Sequence, residues 1–206
     1  MNDDVKNRFK RAVRDHKMTI EMDNGVHRCL YFGKPGSSTY SFRLVTWPGH
    51  LSISGDLSDF AFSRLYDMFD FFRFAGPEYD KTDGVNYGYW SEKVQAESKH
   101  GGVFKSSEDL YEQSIREELS HYMETMQPHE REAVMEEADR HDLFYADNRE
   151  EALQKAMNFQ CPLTLDYPFV DFYEHNLQDY TFGFKFACHA IQWGIKQYDL
   201  HKQGRT

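Results

Sequence analysis

The sequence has few cysteines, and their number and spacing argue against two kinds of site. Three cysteines occur in 206 residues, Cys29, Cys161 and Cys188, and no two of them form a C-x-x-C pair. An odd number of widely spaced cysteines does not suit a disulfide framework, and a structural zinc site needs closely spaced thiolates. We therefore predict no disulfide network, no cysteine-based metal site and a reduced, cytoplasmic compartment.

Long apolar runs are absent as well. No apolar run of 18 residues occurs, and the N-terminal stretch MNDDVKNRFKRAVRDHK carries charges where a signal peptide has its apolar core. These two absences predict a soluble, intracellular protein.

No catalytic or cofactor motif stands out. The segment GKPGSS at residues 33–38 lacks the order G-x-x-x-x-G-K-[ST] of a phosphate-binding loop and precedes a strand-like run, which predicts a β-turn. Glu118 and His121 have the Glu-x-x-His spacing of helical di-iron sites. The nearest second pair, Glu137 and His141, is spaced by four residues, and H-E-x-x-H does not occur. We predict no metal site, no cofactor and no catalytic residue.

Cys188 and His189 are neighbours in the sequence, but this spacing does not make them a nucleophile pair. Adjacent helical residues point about 100° apart, so their side chains do not face each other. Cys188 lies in a mostly apolar segment, which is typical of an inert core thiol. For His189 two interpretations stay open: a buried histidine bonded to a hydroxyl or carbonyl, or a side chain that turns into a pocket.

What the chain does contain is a large apolar and aromatic fraction. Hydrophobic residues make up 40% of the sequence and aromatic residues 16%, which predicts a packed globule with an aromatic core. Short runs of alternating apolar and polar residues fill residues 18–64, separated by turn signals at Asn24-Gly25 and Pro48-Gly49. After Arg64 the apolar spacing changes to that of a helix.

Helix signals dominate the C-terminal half. Capping patterns at Ser106, Pro128 and Asp147 each predict the start of a helix. The segment from Asp179 to Tyr198 is apolar on most sides, which predicts a long, buried helix whose Gly194 permits close packing.

The predicted fold is therefore a single α+β domain over residues 1–206. An N-terminal antiparallel β-meander of four to five strands, in a sheet-rich region at 18–64, packs against C-terminal helices at 106–201. A long loop at 76–105 joins the two regions, and a stretch at residues 91–96 is predicted to form a helical turn.

Acidic residues concentrate in one segment. Residues 106–151 hold 15 acidic and 4 basic residues, a balance of −11, whereas the rest of the chain holds 19 acidic and 20 basic residues, a balance of +1. Such a surface attracts basic partners and can occupy a cationic groove that normally holds phosphates, which is the logic of DNA mimicry. The alternative is a solvated acidic face that aids solubility. The predicted binding face comprises Glu117, Glu118, Glu124, Glu132, Glu136 and Asp139.

Two further candidate surfaces are less acidic. Residues 5–16 have the spacing of an amphipathic helix with a basic outer face, either a solvated face or a nucleic-acid contact. Trp47, His50, Tyr89 and Trp90 would line a pocket for a base or a sugar if the sheet meets the loop at residues 78–102. Core packing is the alternative for these rings.

Four separated blocks of the sequence resemble a family of proteins encoded by tailed phages and prophages. The blocks are LVTWPGHLSISGD, FSRLYDMFDFFR, NYGYWSEKVQA and CHAIQWGIKQYD, and they span nearly the full chain. Members of that family are mostly hypothetical proteins, so the resemblance implies no catalytic residues. It implies a phage-encoded accessory protein that acts in the bacterial host cytoplasm.

Small acidic accessory proteins of phages often inhibit CRISPR or restriction systems, and this analogy completes the functional prediction. We predict a binder that blocks a host defence or nucleic-acid-handling complex through its acidic helical surface. Its partner would be a host protein or ribonucleoprotein with a basic surface, with no membrane and no direct nucleic-acid binding. The alternative is a small nucleotide-binding or nucleotide-modifying enzyme with a pocket between the sheet and the 78–102 loop.

Overall fold

The computed structural model describes residues 2–56, 58–73, 85–98 and 101–205, with side chains from residue 5 onward. The fold is α+β, as predicted, with an antiparallel sheet followed by helices. The chain divides into two compact units, which we call the sheet unit (Met1–Phe104 with Tyr180–Thr206) and the helical unit (Lys105–Asp179). The prediction of a single domain stays a prediction, and an unfolding experiment that tests it is given in the Discussion.

The secondary structure has the following bounds. The strands are β1 (Lys17–Asn24), β2 (His27–Gly33), β3 (Phe42–Trp47), β4 (His50–Gly55), β5 (Phe60–Ser63), β6 (Val94–Glu97), β7 (Phe104–Ser106) and β8 (Gln178–Tyr180). The helices are α1 (Asn2–Ala12), α2 (Met68–Arg73), α3 (Tyr87–Ser91), α4 (Glu108–Tyr122), α5 (Pro128–Arg140), α6 (Arg149–Asn158) and α7 (Phe182–Lys202). Within the described residues, no helix combines the length and the apolar character needed to cross a membrane.

The main sheet has six strands in chain order, β1 to β6, each antiparallel to the next. The β1–β2 loop contains Gly25 with φ of 62°, and the β3–β4 loop contains Gly49 with φ of 81°. Glycine adopts this left-handed conformation at little cost, which is why both predicted turns occur where they do. The meander predicted for residues 18–64 is confirmed as β1 to β5.

One face of the sheet is covered by α7. The alternation of β2 and β3 buries Leu30, Phe32 and Leu44 at 0% exposure, and Leu44 lies opposite Leu30 in the register. Gly194 of α7 permits this close approach, since a Cβ atom there would lie 2.8 Å from Leu44 Cδ1. Thr181 caps the helix by accepting a hydrogen bond from the Phe184 N–H at 3.1 Å. The predicted long, buried C-terminal helix is confirmed.

The segment predicted as a long loop contains regular structure. It holds α3 and then β6, where a helical turn was predicted. In β6 only Val94 is half-buried and the other three residues are exposed, so this edge strand has no apolar face that alternation would reveal. Residues 74–84 and 99–100, which include part of the loop predicted at 76–105, lie outside the described residues.

The helical unit contains α4, α5 and α6 around a core of its own. The helix caps differ by one residue from two predictions, because Ser107 and Asn148 make the capping hydrogen bonds that were assigned to Ser106 and Asp147. Pro128 begins α5, as predicted. The core side chains are Tyr111, Ile115, Leu119, Met123, Val134, Ala138, Leu143, Ala146, Ala152, Ala156, Phe159, Cys161, Phe169, Phe172 and Leu177. The chain enters this unit through β7 and leaves it through β8, and these strands pair as a two-stranded sheet.

Candidate functional site

The helical unit carries the acidity of the whole chain. Its 75 residues, 105–179, contain 19 acidic and 6 basic side chains, a formal charge of −13, and the remainder of the chain has 15 acidic and 18 basic, a charge of +3. The boundary found in the structure therefore separates charge more completely than residues 106–151 do, because Asp166, Asp171, Glu174 and Asp179 also lie in the helical unit.

Helix α5 presents the clearest acidic stripe. Glu132, Glu136 and Asp139 follow one another at spacings of four and three residues, which places them on the same helix face, and all three are exposed. None of the three makes an ion pair or a side-chain hydrogen bond within the part of the chain that the structure describes. The opposite face of the helix is buried through Val134 and Ala138. This α5 stripe is a set of carboxylates with unused hydrogen-bonding capacity.

Helix α4 places its predicted acidic residues differently. Glu117 and Glu124 are exposed, whereas Glu118 is half-buried and accepts a hydrogen bond from His175 Nε2 at 2.8 Å. Glu118 therefore ties α4 to the chain just after the 3₁₀ turn at Phe172–Glu174. The outward face of α4 borders an open depression of about 780 Å³ whose described lining includes Asp109, Glu112, Glu117 and Glu124.

The Glu-x-x-His pair does not assemble a metal site. His121 is exposed, and its Nδ1 lies 3.8 Å from Glu124, while Glu118 bonds to His175. No group of three histidine, cysteine or carboxylate side chains converges anywhere among the described residues. Glu137 and His141 bond to each other at 2.9 Å on the surface of α5.

Next to α4 lies an exposed apolar segment that sequence reasoning missed. Between residues 163 and 173, five large apolar side chains are 48% to 68% exposed, namely Leu163, Leu165, Tyr167, Val170 and Tyr173. Hydrophobic content predicts burial, and no periodicity in this irregular stretch indicated which side chains stay outside. The Tyr167-Pro168 pair and the absence of helical or strand spacing are typical of an irregular segment.

The first turn of this apolar segment is held in a defined shape. The Cys161 N–H donates to the Asp166 carbonyl at 2.8 Å, and the Leu165 N–H donates to the Cys161 carbonyl at 2.9 Å. Leu165 has φ of 62°, a conformation that non-glycine residues rarely adopt and that the surrounding hydrogen bonds maintain. The hydroxyl of Tyr122 bonds to Thr164 at 2.7 Å and fixes the turn against the end of α4.

The four residues of the predicted aromatic pocket have different environments. Trp47 and His50 face each other across the β3–β4 hairpin with ring centroids 5.1 Å apart. Trp90 is 2% exposed and packs edge-on against Phe72 at 4.7 Å, so it is a core residue. Tyr89 is exposed beside the Lys93 ammonium, which lies 4.6 Å from its ring centroid. Part of the 78–102 loop lies outside the described residues, and the enzyme alternative stays a prediction.

Cys188 and His189 have separate environments. Cys188 is fully buried, and burial raises the pKa of its thiol well above the ordinary value, which leaves it without thiolate character. His189 Nε2 is 2.8 Å from the Tyr87 hydroxyl, and its ring stacks on Phe9 with centroids 5.9 Å apart. Both interpretations of His189 apply, because it is a bonded, buried histidine that also borders a cleft of about 650 Å³ in the sheet unit.

Comparison with known proteins identified no relative whose function could be transferred to this chain. The chain matches no protein-family model, no curated protein and no solved structure.

Proposed function

We propose that this chain is a non-enzymatic binding protein that docks the acidic surface of its helical unit on a cationic surface of a host complex. The observation that carries the proposal is the α5 stripe, in which Glu132, Glu136 and Asp139 are exposed and make no ion pair within the described residues. Carboxylates that serve only the fold of a helix are commonly engaged in caps or ion pairs, as Glu130 and Glu137 of the same helix are.

The charge of the helical unit indicates the chemistry of the partner. A formal charge of −13 on 75 residues repels nucleic acid and accelerates encounter with a basic protein surface. A surface that normally binds phosphates is basic and presents spaced hydrogen-bond donors. Exposed carboxylates on one helix face are suited to bind those donors in place of phosphates.

Charge complementarity alone gives mainly specificity and association rate, so a stable complex also needs apolar anchors. The exposed side chains of residues 163–173 provide them in the same unit, and Tyr122 and Glu118 connect this segment to α4. Tyrosine is among the residues that most often dominate binding energy at interfaces. The expected partner surface is therefore a cationic groove with an apolar area beside it.

The biological setting in this proposal rests on the sequence resemblance to phage and prophage proteins. A phage-encoded binder of this charge would act in the bacterial host cytoplasm on a defence or nucleic-acid-handling complex, as anti-CRISPR and anti-restriction proteins do. The acidic unit supports that class of target because such complexes carry phosphate-binding surfaces.

The test is capture of partners from nuclease-treated bacterial lysate on the immobilised protein, with duplex DNA as competitor. Three variants are compared with the unmodified chain. The first reverses the α5 stripe (Glu132→Lys, Glu136→Lys, Asp139→Lys), and the second neutralises it (Glu132→Gln, Glu136→Gln, Asp139→Asn). The matched control reverses three exposed carboxylates of the sheet unit (Asp15→Lys, Asp70→Lys, Glu92→Lys).

We expect a nucleic-acid-binding complex to be captured, displaced by DNA, lost on reversal of the stripe and weakened on its neutralisation. The control variant, which has the same net charge change, retains capture. If reversal of the stripe leaves capture unchanged, or if the control loses capture equally, the acidic helical surface is not the binding face.

A further inference from the structure

The main sheet has a free edge at β1. This strand pairs with β2 on one side, and in the described part of the chain no strand pairs with its other side. It has 8 residues, whereas β6 at the opposite edge of the sheet has 4. A free edge strand presents unpaired backbone N–H and C=O groups, which form hydrogen bonds with another strand that lies beside it. The long edge of β1 is therefore a template for strand addition.

The protection that edge strands usually have lies in the second half of β1. The pairing with β2 shifts register between Ile20 and Met22, and irregularities of this kind turn an edge away from other strands. Residues 17–20 pair with β2 without a break. The stretch that is open to a further strand therefore comprises residues 17–21 and ends at this register shift.

The side chains of this stretch alternate between the two faces of the sheet. Met18 lies opposite Phe32 and Ile20 lies opposite Leu30, so both belong to the face that α7 covers. Both pack against the core of the sheet unit but remain half-buried. A strand added at this edge would bury more of their apolar surface, which favours its addition.

The other three side chains of the stretch, those of Lys17, Thr19 and Glu21, are exposed on the outer face. Arg43 of β3 holds the Glu21 carboxylate in place with hydrogen bonds of 2.9 Å and 2.7 Å. Glu21 Oε1 accepts the shorter of these bonds, and a carboxylate oxygen has two acceptor positions. Glu21 is therefore oriented at the edge and able to accept a bond from a further cation.

Residues 17–21 are complementary to themselves when two copies run antiparallel about Thr19. Lys17 of each copy then lies opposite Glu21 of the other. Met18 lies opposite Ile20, and Thr19 lies opposite Thr19. Every opposed pair shares a face of the sheet, as antiparallel pairing requires. Opposite charges, apolar neighbours and paired threonines are all cross-strand contacts that stabilise a sheet.

We propose that β1 is the dimerisation edge of this protein, at which residues 17–21 of two copies pair antiparallel about a two-fold axis at Thr19. The contact joins two six-stranded sheets into one and forms roughly four to six backbone hydrogen bonds. A second copy fits better than an unrelated peptide, because the backbone accepts any strand but these side chains match their own sequence in one register.

The dimer is independent of the proposed function, since β1 belongs to the sheet unit and the acidic surface to the helical unit. Two joined copies carry two acidic surfaces, which increases the avidity for a partner with repeated cationic sites.

The test is analytical ultracentrifugation of the purified full chain from roughly 5 to 500 µM. One short strand from each copy makes a smaller contact than a standard interface, so we expect a dissociation constant on the order of 10–100 µM. Thr19→Lys brings two like charges together at the axis and should raise this constant roughly tenfold or more. The matched control is Thr39→Lys, at an exposed position of the β2–β3 loop, which should change it less than about twofold.

An exchange of charges tests the register itself. Lys17→Glu brings two carboxylates opposite each other, and Glu21→Lys brings two ammonium groups opposite each other, so each variant alone should be monomeric over the same range. An equimolar mixture of the two variants restores opposite charges in both pairs and should form heterodimers. Circular dichroism verifies that each variant is folded.

Three results would overturn the proposal. The first is an unmodified chain that stays monomeric at about 500 µM, which would leave the edge without a second copy. The second is an equal change of association in the two threonine variants. The third is a mixture of the two charge variants that associates no more than either variant alone.

Discussion

The hydrophobic cores of the two units differ in composition, and so do their charges. In the sheet unit, Phe32, Phe62 and Phe72 pack between the sheet and its helices, and the formal charge is +3. The helical unit buries several alanines, among them Ala138 and Ala156, and has a charge of −13. Large buried rings contribute more apolar area per residue than small side chains do, so the sheet unit has the larger reserve against surface charge and substitution. The difference fits our proposal, in which the sheet unit is the scaffold and the helical unit is the working part that carries the binding surface.

The largest expected effect is the truncation of a core ring in the sheet unit. Phe32 is 0% exposed and stacks on Phe42 with centroids 4.8 Å apart, so Phe32→Ala should lower the free energy of unfolding by about 3–5 kcal/mol. Tyr66→Ala, at a position 71% exposed, is the control and should change it by less than about 0.5 kcal/mol. Urea unfolding followed by fluorescence measures both values.

The same variant tests the single-domain prediction. All three tryptophans lie in the sheet unit, so fluorescence reports that unit, whereas circular dichroism at the helix band reports both. A single domain requires that both transitions shift together in Phe32→Ala. A helix transition that stays in place while the fluorescence transition moves would contradict the single-domain prediction.

An intermediate effect is expected at the ion pair of Arg28 and Asp67. The Arg28 guanidinium donates to both carboxylate oxygens of Asp67, at 2.9 Å and 2.7 Å, and is 8% exposed. Removing one charge of such a pair leaves the other buried, so Asp67→Asn should cost about 3 kcal/mol. The matched control is Glu112→Gln in the helical unit, since the exposed pair of Glu112 with Arg116 should contribute less than about 1 kcal/mol.

This pair also predicts a pH dependence of stability. Burial favours the neutral form of Asp67, but the hydrogen bonds from Arg28 and from the Phe69 N–H outweigh burial and hold its pKa below the ordinary value of 3.8. Because the pKa is depressed in the folded state, the pair stabilises the protein above pH 3.8 and loses this contribution as the pH falls through the folded-state pKa. Denaturation at several pH values should show the difference between the unmodified chain and Asp67→Asn shrinking below about pH 4. A difference that stays constant down to pH 2 would contradict this role.

The smallest effect on stability is expected where the effect on binding is greatest. Reversal of Glu132, Glu136 and Asp139 changes the charge of the helical unit from −13 to −7, yet touches only exposed side chains. The free energy of unfolding should change by no more than about 0.5 kcal/mol, and 1 M NaCl should reduce that change by screening. A loss of several kcal/mol would mean that the stripe serves the fold, and the comparison between scaffold and working unit would then fail.

Sequence patterns predicted most of the sheet unit because its side chains follow simple periodicities. Alternation and two glycine turns located β1 to β5, and the apolar run of the last helix located α7. The edge strand β6 was not predicted, because the largely exposed strand Val94–Glu97 has no buried face and so no alternation of apolar and polar residues. On α4, Glu118 bonds to His175, which is 57 residues away in the sequence. Local spacing therefore did not reveal that Glu118 is engaged within the helical unit. Exposed apolar residues such as Leu165 cannot be told from core residues in the sequence, because composition does not show which apolar side chains are buried by the rest of the chain.

The position of α7 after the helical unit in the chain has a consequence for synthesis. The strands β1 to β6 leave the ribosome first, but the helix that covers them follows only after the whole helical unit has been translated. At elongation rates of about 5–20 residues per second, the apolar face formed by Phe32 and Leu44 waits roughly 5–20 s after β6 for the whole of α7. During that interval we expect the nascent sheet to expose an apolar surface to chaperones and to neighbouring chains.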